Sequence, residues 1–289
     1  MSKVLKEYKI ASFANFHKVL EDVEKQLPRA LYGQVLYRGQ AKAGWELKPG
    51  IGRHLETYET HALDKQRLLL DEWRMVQDFR RQAGAYLGRM PDEGWEAWVL
   101  AQHHGLPTRL LDWTHSPLAA LYFAVERPSK DNDNDDSAVW LLYMPTQFIP
   151  PPEVHVPKEW KNKVDRSDTY RPHPLDVEEV RGYMPGNEVP RVRAQLGVFT
   201  VHPNPTEPLQ ATNLPDRARL YKVVVKNHAR EQIQLTLANY GIFRQTLFPD
   251  LDGLAESIRW TRVGVLEATR AQRLPDTKRR SWWRRLFEG

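Results

Sequence analysis

Between Gln102 and Glu126 the chain reads QHHGLPTRLLDWTHSPLAALYFAVE, and this stretch limits the fold more than any other. From Pro117 to Val125 it is apolar on nearly every side, so a helix there has no face to give to water and must sit inside a core. The residues ahead of it have the opposite character. Three histidines, two threonines, an arginine, an aspartate and a serine fall within fourteen positions. Polar groups entering a buried element need hydrogen-bond partners or a chemical task. Gly105 and Pro107 end the preceding helix, Pro117 suits a first helical turn, and Ser116 stands where a cap belongs.

Burying such a helix takes a substantial core, and 289 residues with 41% hydrophobic content, ten Trp, eleven Tyr and nine Phe supply one and exclude general disorder. There is no cysteine, which excludes disulfides, thiolate zinc sites and covalent cysteine catalysis and makes a reducing, cytoplasmic compartment the natural expectation. The start, MSKVLKEYKI, lacks the apolar stretch of a signal peptide, and no run approaches the roughly eighteen apolar residues of a spanning helix. Net charge is +5, but the last twelve residues, KRRSWWRRLFEG from Lys278, carry five basic groups. The excess therefore describes a tail and leaves the body nearly balanced, which makes a nucleic-acid-binding protein the weaker reading. Within that tail, SWWRRLF suits docking on the chain itself or on a partner better than a membrane surface.

Helix-like and strand-like segments are interspersed along the chain. Ser12 is placed to cap a helix carrying Phe13, Phe16, Leu20, Val23 and Leu27 at helical spacing. Val35, Leu36 and Tyr37 form a short strand that Arg38, Gly39 and Gln40 interrupt, which puts an arginine at a sheet rim. A long helix is expected over residues 60–86, with Leu63, Leu68, Leu69, Trp73, Val76 and Phe79 as its apolar face. A second is expected over 95–104 and a continuous buried strand over 137–144. SKDNDNDDS reads as an acidic exposed loop that lacks the glycine and terminal glutamate of a calcium loop. Residues 145–190, rich in proline and charge, read as one long loop. Strands resume over 196–201 and 219–226, Asn227 caps a helix ending at Gly241, and Pro249 opens a helix bearing Leu251, Leu254, Ile258 and Trp260. The pattern is α+β in a single domain, without βαβ repeats. No glycine-rich phosphate loop occurs, which removes P-loop ATPases, kinases and common dehydrogenases.

Several residues are candidates for chemistry. Arg38 offers a planar five-donor fork suited to phosphate or carboxylate, and Gly39 permits close approach to the backbone; the alternative partner for Arg38 is a buried carboxylate such as Asp112. His103 and His104 are adjacent and so point about a hundred degrees apart on a helix, unlike a metal-chelating i, i+4 pair. His104 reads first as a structural histidine and then as a ligand contact. Arg109 and Asp112 are spaced for a local salt bridge. Ser116 precedes a proline and lies in no nucleophile elbow, so Ser116 and Thr114 read as a polar bracket around the first turn of the buried helix.

Four separated motifs, YRGQ, AQHHGLPTRLLDWTHSPLAALYFAV, RAQLGVFTVH and LFPDLDGLA, resemble the FRG domain family, named for an aromatic-Arg-Gly motif that is Tyr37, Arg38 and Gly39 here. The resemblance spans residues 12–262, leaving 1–11 as an N-terminal lead and 263–289 as the basic, tryptophan-containing tail. More distantly, the order of motifs is similar to the Arg-Ser-Glu layout of ADP-ribosyltransferases. That similarity implies a central, mostly antiparallel sheet, open to being split, with flanking helices, and NAD as substrate without a metal. It implies catalytic roles for Arg38, Ser116 and the third-motif position. Tyr37, Arg38, Gly39, Gln40, His104, Arg109 and Thr114 would contact the nucleotide. The sequence departs from the layout at the third motif, where the candidate is Gln195 on a strand and no glutamate is present. An amide offers the hydrogen bond but not the charge that stabilises an oxocarbenium ion. Glu256 or Asp252 could substitute if their helix folds over the cleft; otherwise they lie on a solvated face with Asp250 as cap.

The expectations are accordingly an ADP-ribosyltransferase-like enzyme acting on a protein or nucleic-acid target, as in bacterial toxins or phage-defence effectors, or a non-catalytic module that binds a nucleotide or peptide in the same cleft.

Overall fold

The computed structural model describes residues 6–28, 35–54, 65–87, 94–126, 135–145, 148–149, 176–186, 189–210, 212–214 and 217–264. Most of the acidic run after Val125, most of the proline-rich stretch and the basic tail lie outside the described residues. Strand β1 (Lys6–Ile10) comes before Ser12, so the N-terminal lead contributes to the sheet. Ser12 then accepts the Asn15 N–H on its side chain at 3.2 Å and starts helix α1 (Phe13–Glu24), which buries Phe16, Val19 and Val23.

The remaining strands are β2 (Val35–Gln40), β3 (Leu110–Thr114), β4 (Ser137–Tyr143), β5 (Phe148–Ile149), β6 (Arg181–Tyr183), β7 (Gly197–Val201) and β8 (Arg219–Val225). They form one mixed sheet in the order β1-β8-β4-β2-β3-β7-β6-β5, in which β1/β8 and β5/β6 run parallel and the other pairs antiparallel. The pairing is uneven in a way that decides where a ligand can go. β2 pairs with β4 from Val35↔Tyr143 to Gln40↔Ala138, and β3 pairs with β7 from Leu110↔Val201 to Thr114↔Gly197. Between β2 and β3 the register holds at a single position, Tyr37↔Thr114. The sheet is therefore two halves joined at one residue pair.

Helices cover one face. Over the β1-β8-β4-β2 half lie α1, α4 (Pro117–Val125) and α6 (Arg230–Asn239), packed on Val139, Leu141, Tyr143, Val223 and Val225. Over the other half α3 (Trp95–His103) packs on Leu110, Phe199 and Val201, joined by Val76 of α2 (Lys65–Ala83). On the opposite face, Leu36, Trp140 and Leu142 of one half meet Leu111, Trp113 and Val198 of the other, with Leu47 and Leu209 from loops above them. This third cluster is the apolar continuity that holds the halves together where the ladder does not.

The helix that the sequence requires to be buried is buried: six of its nine residues, including Ala120, Leu121 and Ala124, have almost no exposure. It lies so close to β2 that a Cβ on Gly39 would fall 2.0 Å from the Ala120 carbonyl oxygen. Gly39 thus admits a helix backbone, and the close approach foreseen for a ligand is already taken by α4.

Three expectations change on this fold. Asn227 opens a short 3-10 turn (Asn227–Ala229) with its N–H held by Asp136 at 3.0 Å, and the helix after it follows Ala229 without a side-chain cap. Residues 145–190 contain β5 and β6, and helix α5 (Pro190–Ala194) begins at the end of that range. Helix α8 (Leu251–Arg259) is capped by Asp250, whose Oδ1 accepts the Gly253 N–H, yet Leu251 and Ile258 face solvent while Gly253 and Ser257 are buried.

In α2 the buried stripe is Leu68, Glu72 and Val76, with Trp73 turned outward. Glu72 is fully buried. It accepts the Arg109 backbone N–H at 2.6 Å, the Arg109 guanidinium at 2.5 Å and the Trp98 indole N–H at 3.2 Å. Arg109 is therefore spent on Glu72, and the local bridge expected between Arg109 and Asp112 does not form. Removing one partner of such a pair leaves a buried charge without compensation, which costs about 3–5 kcal/mol. Arg109→Met is expected to lose that much in urea unfolding, and Glu72→Leu with Arg109→Met is expected to recover most of it. Equal loss in the single and double variants would contradict this account.

Candidate functional site

Beyond Tyr37↔Thr114 the two sheet halves part, and the gap opens into a cleft of about 1140 Å³ lined from both sides. Tyr37, Arg38, Gly39 and Gln40 form one wall, Asp112 and Thr114 with Gln102 and His103 another, and Arg191 and Gln195 a third. Lys48 and Arg53, from the segment after β2, lie on the rim.

Arg38 reaches across the gap. Its Nη1 donates to the Asp112 carbonyl oxygen at 2.7 Å and stands 3.5 Å from the Asp112 carboxylate. A side chain thereby satisfies a strand carbonyl at the point where β2 and β3 no longer pair. The Arg38 Nε is buried and has no hydrogen-bond partner among the described residues. Burial pushes this guanidinium below its ordinary pKa, with Asp112 opposing the shift and Arg53 adding to it.

Asp112 answers two alternatives at once. It does pair with Arg38, but its side chain is 61% exposed and stands in the cleft. Its Oδ1 accepts the Gln102 side-chain N–H at 2.8 Å, and Gln102 is fixed in turn by a short hydrogen bond from the Thr108 hydroxyl. The result is a solvent-facing carboxylate held from both sides. Glu46 also lines the cleft and is tied to Lys48 at 3.1 Å.

Thr114 and Ser116 form the expected bracket. The Thr114 hydroxyl donates to the Gln195 carbonyl at 2.6 Å and accepts the Ser116 N–H at 2.9 Å, while the Ser116 hydroxyl oxygen accepts the Ala119 N–H at 3.1 Å as the cap of α4. Thr114 lines the cleft, whereas Ser116 is occupied at the helix end. Gln195 is not on a strand. It follows the last turn of α5, ahead of Leu196 in the left-handed region at φ 48° and then β7. Its side-chain amide donates to the Leu247 carbonyl at 3.0 Å and so ties α5 to α7 (Arg244–Leu247).

Of the paired histidines, His103 lines the cleft, and burial followed by the nearby Arg191 lowers its pKa. His104 ends α3 with its ring packed 6.0 Å from Phe79. Gln40 lines the cleft too, but its side chain is used inside the fold: it accepts the Trp140 indole N–H at 2.7 Å and donates to the Glu46 carbonyl at 3.2 Å. Glu256 lies apart from the cleft, paired with Arg259 at 3.0 Å on α8, and Asp252 is exposed on the same helix.

His202 escaped the sequence reading. The Trp113 indole N–H donates to Thr200 at 2.9 Å, and the Thr200 oxygen lies 2.9 Å from His202 Nε2. The indole can only donate, so the Thr200 oxygen accepts from Trp113 and links it to the imidazole. Burial and the neighbouring Arg38 push His202 down to about 3.

The donor set of the cleft is cationic. Arg38, Lys48, Arg53 and Arg191 face it, and among the described residues no three His, Asp or Glu side chains converge as a metal site. An unpaired buried guanidinium N–H beside further cations fits an anionic oxygen ligand.

Residues 33–133 match the family model of the FRG domain. The chain carries an FRG domain. The match runs from the start of β2 past α4 and contains the Arg38 wall, Asp112, Thr114 and Ser116; Gln195 and Glu256 lie beyond it. It is shorter than the 12–262 expected from the four motifs. No curated protein matches the chain, and no solved structure does. Among the described residues no helix is long and apolar enough to cross a membrane.

A histidine with a depressed folded pKa binds its proton more readily when unfolded, so its contribution is full above pH 6.5 and is lost as the pH falls toward 3. Chain stability in urea is expected to fall across that window, and His202→Gln is expected to flatten the dependence there. A variant with the same slope as the unaltered chain would refute the assignment.

Proposed function

We propose that the FRG domain cleft binds a nucleotide through its phosphates, and that the protein uses NAD as substrate in an ADP-ribosyltransferase-like reaction. The observation that carries this reading is Arg38. It stands at the parting of the sheet, holds both halves through Asp112, and keeps a buried Nε donor without a partner. A phosphate oxygen supplies the acceptor that this donor lacks, and Arg53 and Lys48 on the rim add charge for it. Tyr37 belongs to the same wall, and burial pushes its hydroxyl up to about 12, so it acts as a neutral hydrogen-bonding group at neutral pH.

The reaction breaks the glycosidic C–N bond of NAD, the electron pair leaves on neutral nicotinamide, and an acceptor hydroxyl, amine or water bonds to the ribose carbon and gives up a proton. The chain must stabilise positive charge at that carbon and receive the proton. Asp112 is suited to both because its carboxylate is fixed by Arg38 and Gln102 yet open to the cleft. Gln195 cannot supply charge, and its amide N–H is committed to Leu247. Thr114 and Ser116 brace the start of α4 behind the site.

A second reading, a non-catalytic nucleotide-binding module, draws on the amide at Gln195, since a binder needs no charge there. The acceptor, as a protein or nucleic-acid target, and a role as a toxin or phage-defence effector are the widest parts of the proposal.

Isothermal titration with NAD and release of nicotinamide separate the readings. Arg38→Ala is expected to weaken NAD binding by 10- to 100-fold, the range of a lost charged hydrogen bond of about 1.5–3 kcal/mol. Asp112→Asn is expected to bind NAD within about threefold of the unaltered protein and to release nicotinamide at least 100-fold more slowly. Binding without release by the unaltered protein, with its target supplied, leaves the module; no binding of NAD rejects both readings.

A further inference from the structure

We infer that Arg191 is a second anion-binding point in the same cleft, on a different wall from Arg38, so that the ligand carries two phosphate-class groups. This rests on the cleft being a phosphate site. Arg191 stands in the first turn of α5, and its guanidinium lies 4.2 Å from the centre of the Phe248 ring. Arg244 stacks on the same ring at 4.3 Å, and the two arginines differ in one respect. Arg244 has Glu126 in a short ion pair. Arg191 has neither a side-chain hydrogen bond nor a carboxylate within 4.0 Å among the described residues, although it is half-buried and lines the cleft.

A guanidinium partly removed from water is costly unless a counter-charge is near. Burial and then Arg244 lower its pKa, while Asp250, Asp112 and Glu126 oppose this from a distance. Asp250 spends Oδ1 on the Gly253 N–H, and Asp112 is held by Gln102 and Arg38. The protein thus gives Arg191 carboxylates at a distance but, among the described residues, none in contact. Its seat is firm, because Phe248 also packs edge-on against Phe123 at 6.0 Å. His103 lines the cleft within electrostatic reach of it. Two cationic points on different walls, with the Asp112 carboxylate in reach of both, match a diphosphate-linked ligand; a single phosphate engages one of them.

The intact chain is titrated with ADP-ribose and with AMP, and Arg191→Gln is compared with Arg191→Met, which keeps an apolar stem on Phe248. The expected result is a 10- to 100-fold loss of ADP-ribose affinity in both variants, less than threefold change for AMP, and an unliganded Tm at or above that of the unaltered protein. ADP-ribose affinity within threefold of the unaltered protein in either variant overturns the role of Arg191 and leaves the phosphate reading on Arg38 intact. An equal loss for AMP overturns the two-point arrangement. Failure of the unaltered protein to bind ADP-ribose overturns this inference together with the reading it rests on.

Discussion

The two halves of the sheet share one ladder position, Tyr37 opposite Thr114, and the cleft exists because pairing stops there. Continued pairing would have closed the space between β2 and β3. The parting creates a local debt of hydrogen bonding that water or side chains must meet. Arg38 meets part of it by donating to the Asp112 carbonyl, so one residue both props the gap and presents charge inside it. On the far face, Leu36 and Trp140 packed with Leu111 and Trp113 keep the halves from separating further. The opening is therefore bounded by an arginine in the gap and an apolar layer below it.

That arrangement explains the glycine beside Arg38. With α4 seated against β2 at the Ala120 carbonyl, a side chain at position 39 would drive the helix off the strand. Displacing the helix would disturb the Thr114 and Ser116 bracket, whose hydroxyls hold the strand end, the Gln195 carbonyl and the first turn of α4 together. The aromatic-Arg-Gly motif thus couples an apolar packing surface, a charged group in the gap and a steric allowance for the helix. These three needs meet within three consecutive residues because β2 is the strand where sheet, cleft and helix come together.

Much of this was legible in the sequence where a single local rule governs. Ser116 followed by Pro117 and an apolar run can be little else than a cap and a buried helix, whereas the strand expected to end at Tyr37 runs on through Arg38, Gly39 and Gln40, each paired with β4 inside the sheet. What escaped depends on contacts far apart in the chain. Glu72 sits at the i+4 position of an otherwise apolar stripe, and only its partner Arg109, thirty-seven residues on, accounts for a carboxylate there. Asp112 looked structural because Arg109 was a plausible neighbour; once Arg109 is taken by Glu72, Asp112 turns to Gln102 and the cleft. Likewise Gln195 reads as strand beside LGVFTV, yet Pro190 starts a short helix and the positive φ of Leu196 turns the chain before the strand begins.

The placement of charge follows from the same geometry. Arg109, with 1% of its side chain exposed, is paired with a fully buried glutamate that its backbone N–H and its guanidinium both reach, as a charge in the interior requires. Arg38 is largely buried and only partly satisfied, and Arg191 is half-buried with a ring in place of a counterion. Satisfaction thus decreases from the core toward the cleft, while burial remains enough to make an incoming anion valuable. A fold selected only for stability would give the Arg38 Nε an acceptor and Arg191 a carboxylate in contact, as it gave Glu126 to Arg244 on the same aromatic ring. Leaving them short of acceptors keeps binding energy in reserve for a ligand whose oxygens complete the network.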